Sequence, residues 1–223
     1  MTSSALLPMS SLRSTSLSTQ QKARKLRGLT LIEVLVAIVI MSFGMLGLVG
    51  MQAFALQSNR EARLQAQAAM LARELAEMMR GNKEIGVITT PADNPYLVSL
   101  SSGSMVAATP SYCLSVGNAA TGCTSATDIA NAEMTDWLAR VDNLLPGARV
   151  VICFDSSPYD SNGIPRWSCN TSGTNEIAVI KIGWTRNSTD RSKIGVDVLE
   201  QASTTGSTPY IIFPVTSGNA SAI

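Results

Sequence analysis

At 223 residues the chain has room for one modest globular domain with accessory segments, because domains commonly hold about 100 to 200 residues, and this excludes a large multidomain enzyme. It contains no histidine, which removes Ser/His/Asp and Cys/His catalysis in their usual forms and His-ligated zinc; no other catalytic motif is present, so neither an enzyme nor a cofactor is expected. The formal net charge is +1, but Arg13, Lys22, Arg24, Lys25 and Arg27 all precede Gly28, leaving 12 basic against 16 acidic residues after it, a balance that gives nucleic acid no electrostatic footing.

The basic head reads as the cytoplasmic flank of a membrane span. Behind it residues 29–56, LTLIEVLVAIVIMSFGMLGLVGMQAFAL, form an apolar run with a single charge, longer than the roughly 20 residues a helix needs to cross a bilayer. A cleavable secretory signal has an apolar core of only about 7 to 15 residues. The one charge is Glu33, four residues inside the run. A carboxylate at that depth is costly unless it stays at the interface, is protonated or finds a cation. Taken alone, it reads equally as a functional acid or as one snorkelling to the headgroups.

The helix is expected to continue. Residues 57–80, QSNREARLQAQAAMLARELAEMMR, have no Pro or Gly and consist largely of good helix formers. Leu64, Ala68, Leu71, Leu75 and Met78 recur at three- and four-residue steps as one apolar stripe. Gly81 and Asn82 supply a stop. The predicted helix, 29–80, extends about 78 Å at 1.5 Å per residue. Gly44, Gly47 and Gly50 suggest a close-packing face of a membrane helix.

After Gly81 the composition shifts to Ser, Thr, Gly, Asn and Pro, and residues 82–110 read as linker and irregular structure. A second helix is predicted at 127–145, with Ile129, Met134, Trp137, Leu138, Val141 and Leu145 on its apolar face and Pro146 and Gly147 ending it. Strands are predicted at 149–154 and 176–185, where Ala178, Ile180, Ile182 and Trp184 alternate onto one face. Further strands are expected at 194–199 and 210–215, with a long loop between the first two. Trp137 and Trp184 read as core aromatics. Asp155, Asp160 and Asn162 lack the spacing of a calcium loop and read as turn residues. An antiparallel sheet packed on the long helix gives an α+β fold.

Cys113, Cys123, Cys153 and Cys169 all lie beyond the predicted span. An even number in an oxidising compartment favours disulfides, with three pairings possible. Cys113 with Cys123 and Cys153 with Cys169 each close a local loop. A four-thiolate zinc site lacks the close CxxC spacing it needs, so no metal is expected.

Residues Arg27, Gly28, Leu29, Thr30, Leu31, Ile32 and Glu33 spell RGLTLIE between the basic head and the apolar helix. This resembles the class III signal of type IV prepilins. The resemblance implies that a membrane peptidase cuts after Gly28 and that the new N-terminus, Leu29, is methylated. A glycine there lets an extended backbone enter a narrow cleft. Glu33 would then neutralise the terminal amine of a neighbouring subunit in an apolar filament core, where a paired charge is far cheaper than a lone one, and so set the register between subunits.

The implied organisation is a cleaved leader, 1–28; a long helix, 29–81, spanning the membrane at about 29–56; and a periplasmic globular domain, 82–223. The expected fold is type IV pilin-like, a transmembrane helix packed on a small antiparallel sheet. Tyr112, Cys113 and Leu114, Cys123, Asp136 and Trp137, Leu145, Pro146 and Gly147, and Gly183 and Trp184 are similar to the PilV family of minor pilins. That resemblance implies partners in the prepilin peptidase/N-methyltransferase, other minor pilins, the major pilin and a tip adhesin, with the inner membrane as store and a part in priming, adhesion and twitching motility. A pseudopilin of a type II secretion system shares the N-terminal pattern, and a bitopic membrane-anchored periplasmic enzyme or binding protein is the alternative from another class.

Overall fold

The computed structural model describes residues 30–171, 176–188, 190 and 192–216. Two compact units divide at Met51 and Gln52, and one helix, α1 (Leu31–Gly81), passes from the first into the second.

In the first unit the described residues are Thr30 followed by helix. Every side chain from Thr30 to Met51 is exposed, so no described residue of this unit covers the apolar surface.

The second unit holds the rest of α1, a short helix α2 (Lys83–Gly86), strand β1 (Ser99–Ser101), helix α3 (Ala126–Leu144) and strands β2 (Arg149–Asp155), β3 (Ile177–Gly183), β4 (Arg186–Asn187), β5 (Leu199–Glu200) and β6 (Ile211–Val215). The main sheet is antiparallel in the order β1-β2-β3-β6. β4 and β5 form a separate two-stranded ribbon.

Side chains alternate across this sheet. Val150 lies opposite Ile182, Ile152 opposite Ile180 and Phe154 opposite Ala178. This inner face joins Leu71, Leu75 and Met79 of α1 and Met134, Trp137 and Val141 of α3 in one core. The buried stripe of α1 is wider than its three- and four-residue pattern implies, since Ala72, Ala76 and Met79 are also buried. Alanines there let α1 lie close to its neighbours. Trp137 ties α3 to α1, donating from Nε1 to the Leu71 carbonyl at 2.9 Å with no exposure of its own.

α3 starts at the Ser125 cap, whose side chain accepts from the Asp128 amide at 3.1 Å. Asp128 also accepts from the Thr124 hydroxyl, and that bond above all holds its carboxyl below the usual range. The chain then turns at Gly147, whose φ of +60° lies where side chains are disfavoured. A Cβ there would stand 2.1 Å from Thr185 Oγ1.

Two sequence expectations differ from the fold. The region 82–110 contains α2 and β1, elements too short to carry a period. The expected strand at 194–199 is a 3-10 turn (Gly195–Val198) leading into β5. Gly195 takes a φ of +65°, which breaks the extended run.

Candidate functional site

The N-terminal part of α1 presents aliphatic side chains on all sides, from Leu31, 84% exposed, to Met51, 72% exposed. A helix apolar all round requires an apolar surrounding. Glu33 stands in its first turn, where its amide donates to the Thr30 carbonyl at 3.0 Å. An acid at a helix start faces the positive end of the backbone dipole. Between Thr30 and Asn59 it is the only charged residue. A Cβ at Gly44, Gly47 or Gly50 would meet no atom within 4 Å, so no described residue packs closely against this face. Gly28 and Leu29 lie outside the described residues.

Two family models match adjoining stretches of this chain, together residues 23–135. The prokaryotic N-terminal methylation motif matches residues 23–49, and the family described as type IV pilin Tt1218 matches residues 50–135. The chain is a type IV pilin-like protein. No curated protein and no solved structure matches it. The motif marks the pilin for prepilin peptidase processing and pilus incorporation, and the family is structural, not enzymatic. Its α+β fold has the long apolar helix packed, through its C-terminal half, on a small antiparallel sheet.

The cysteines of the pilin are joined in two disulfides. Cys113 and Cys123 have Cα atoms 4.9 Å apart and close a loop ahead of α3. Cys153, on β2, and Cys169 have Cα atoms 6.4 Å apart. The second bond lies on the outer face of the sheet, where Val151 is opposite Lys181 and Cys153 opposite Val179. The loop after β2 folds back over this face instead of extending into solvent. Trp167 lies against Gly183, where an added Cβ would come within 3.0 Å of its ring. The Arg149 guanidinium stacks on the same ring at 4.4 Å.

Beneath the loop is a buried ion pair, Lys181 with Asp155 at 2.6 Å. Lys181 Nζ also donates to the Ser168 carbonyl at 2.8 Å. The other carboxylate oxygen of Asp155 accepts from the amides of Ser157 at 2.8 Å and Asn170 at 3.0 Å. Burial pushes the Asp155 carboxyl up, but the Lys181 ammonium and these amides outweigh it and hold the group below the usual range. Cys153, Asp155 and Cys169 bring potential ligand atoms within 4.8 Å of one another. Both thiols are consumed in a disulfide and the carboxylate is already paired, so the cluster has no donor set left for a metal.

Trp137 and Trp184 are both fully buried; Trp184 meets Tyr210 edge-on at 5.1 Å. Asp160 forms a side-chain turn, accepting from the amides of Asn162 and Ile164, each at 2.8 Å. Asp155 does more than shape a turn. Sequence reasoning did not find Lys181, Arg149 or Trp167. The one available signal was a lysine inside the otherwise apolar IAVIKIG, which reads as readily as an outward-facing strand position.

Proposed function

We propose that the chain is a minor pilin of the PilV kind, cut between Gly28 and Leu29, methylated at Leu29 and held in the inner membrane with residues 82–223 in the periplasm. The observation that carries the reading is a methylation motif at residues 23–49 that overlaps the uncovered apolar start of α1, where Glu33 is the one charge before Arg60. In the filament that carboxylate neutralises the Leu29 amine of a neighbour and fixes its register. Other minor pilins and the major pilin cover the apolar surface, in a complex that primes assembly or stands at the tip. A tip adhesin is a further partner, and adhesion and twitching motility follow from the filament.

The minor-pilin assignment draws on features that lie together in the fold. The Leu145, Pro146 and Gly147 corner meets the segment after Gly183 and Trp184, where the Thr185 amide donates to the Pro146 carbonyl at 2.7 Å.

The test is the N-terminus of the membrane-extracted protein by mass spectrometry, in wild type, in Gly28→Ala and in cells lacking the prepilin peptidase. The expected result is a chain starting at methylated Leu29 only when both Gly28 and the peptidase are present. An uncut chain in wild type, or one cut beyond the apolar run, overturns the reading.

A further inference from the structure

The outer face of the sheet is only partly covered. Beside the folded-back loop runs a groove of about 820 Å³ walled by Pro91, Leu97, Val151, Phe154 and Trp167. Its floor includes a strand edge. β1 pairs with β2 only at residues 149–151, and the ladder ends where the Ile152 amide donates to the Val98 carbonyl at 2.8 Å. β2 continues to Asp155 with no strand beside it on that side among the described residues. Backbone groups alternate direction along a strand. Because the amides of Val150 and Ile152 face β1, those of Phe154 face the open side.

At the other end of the groove is Arg149. Its Nη1 donates to the Ala202 carbonyl at 3.4 Å and its guanidinium lies on Trp167, but among the described residues it has no carboxylate partner. Burial alone lowers its pKa, as expected for a cation that gives up water without gaining an anion. Glu176 also lines the groove and is engaged in an interaction of its own.

An open strand edge and alternating apolar walls are the features of a strand-addition site, and Arg149, half-buried and without a carboxylate partner among the described residues, adds a charge to be matched. Main-chain hydrogen bonds supply affinity there, and side-chain pockets supply selectivity. A guanidinium supplies the planar, forked donor set that a carboxylate matches. We propose that this groove docks an extended segment of a partner protein, which pairs with the open backbone of Phe154 where the β1–β2 ladder ends and presents one carboxylate to Arg149. The site is independent of the minor-pilin reading and holds for any filament or complex in which the chain is placed.

The test uses the full-length protein in detergent micelles and a fluorescent, end-capped hexapeptide alternating valine with threonine and carrying one aspartate, followed by anisotropy. The aspartate peptide should bind about tenfold or more tightly than its asparagine counterpart, and the preference should vanish in Arg149→Gln and return in part in Arg149→Lys. Two backbone-methylated versions, blocked at odd or at even amides, separate strand addition from ordinary apolar contact, because only one edge of the peptide faces β2. One version should bind and the other should not. Absence of binding, equal binding of the acid and amide peptides, a preference that survives Arg149→Gln, or equal binding of the two methylated forms overturns the proposal.

Discussion

Lys181 Nζ stands 2.6 Å from Asp155 Oδ2 with neither side chain exposed, so β2 and β3 share a desolvated charge pair on the face turned away from α1. The remaining hydrogen-bonding capacity is met by the Ser168 carbonyl and the amides of Ser157 and Asn170. The pair therefore joins both strands to the loop that covers them. Breaking a buried pair by removing one partner costs about 3 to 5 kcal/mol, whereas replacing both partners by apolar groups is often neutral. Asp155→Leu is expected to lose stability in that range, and Asp155→Leu with Lys181→Met to recover most of it. Urea unfolding of the full chain, followed by tryptophan fluorescence, measures both, and strictly additive losses would sink the account.

The same pair sets a pH dependence. Asp155 is held below its unfolded value in the folded chain, and an unperturbed aspartate titrates near about 3.9. A depressed carboxyl contributes stability that is complete above the unfolded value and is lost as pH falls through the folded one. The urea midpoint should therefore hold between about pH 7 and pH 5 and fall below about pH 4. In Asp155→Asn the fall should be shallower. A fall of equal steepness in that variant would assign the acid sensitivity elsewhere.

Gly147 and Gly103 separate backbone strain from contact. Both have positive φ, +60° and +88°. A Cβ at Gly103 meets nothing within 4 Å, whereas one at Gly147 falls 2.1 Å from Thr185 Oγ1. Gly103→Ala should cost about 1 kcal/mol and Gly147→Ala clearly more, toward about 3 kcal/mol or beyond. Equal losses would show that the corner between α3 and β2 relaxes around the new methyl.

The two disulfides are expected to differ in what they hold. Cys153 and Cys169, 16 residues apart, close a loop whose constraint is worth about 3 kcal/mol on a chain-entropy estimate. Replacing both by serine should lower the urea midpoint and weaken the burial of Trp167. Replacing Cys113 and Cys123, 10 residues apart, should leave Trp167 unchanged. Tryptophan emission of the two double variants reads the difference, and identical spectra would place Trp167 outside the influence of Cys169.

Glu33→Val tests the register role directly. The expected outcome is a chain still cut and methylated at Leu29, retained in the membrane fraction and depleted from sheared filaments. Normal incorporation of this variant would remove Glu33 from subunit registration while leaving processing intact.

The two long helices were legible because their signals repeat: the stripe of Leu64, Ala68, Leu71 and Leu75 recurs over several turns, and the apolar face of α3 runs from Ile129 to Leu145 before Pro146 and Gly147 end it. β2 and β3 were legible from their β-branched runs. β1 was not, because three residues of Ser-Leu-Ser hold no period and become a strand only beside residues 149–151. The outer face was hidden for a different reason. Trp167, Arg149 and Lys181 lie far apart in sequence, and only the return of the loop after β2 makes that side of the sheet an interior. Alternation predicts which side chains share a face but not whether the opposite face is covered.

The indole of Trp137 reaches the Leu71 carbonyl, and Arg140 meets Glu74 at 2.6 Å, so α1 is fastened along its flank at several neighbouring levels. A pull along that helix loads these fastenings in shear and in parallel, together with the side chains packed between Leu64 and Met79. Such a joint resists until it fails as a unit, whereas a helix attached only at its tip would peel one turn at a time. Force spectroscopy on the tethered chain should record one abrupt rupture, and a staircase of small events would contradict it. Within the second unit, tension on this part of α1 therefore passes directly into the sheet and α3 packed against it.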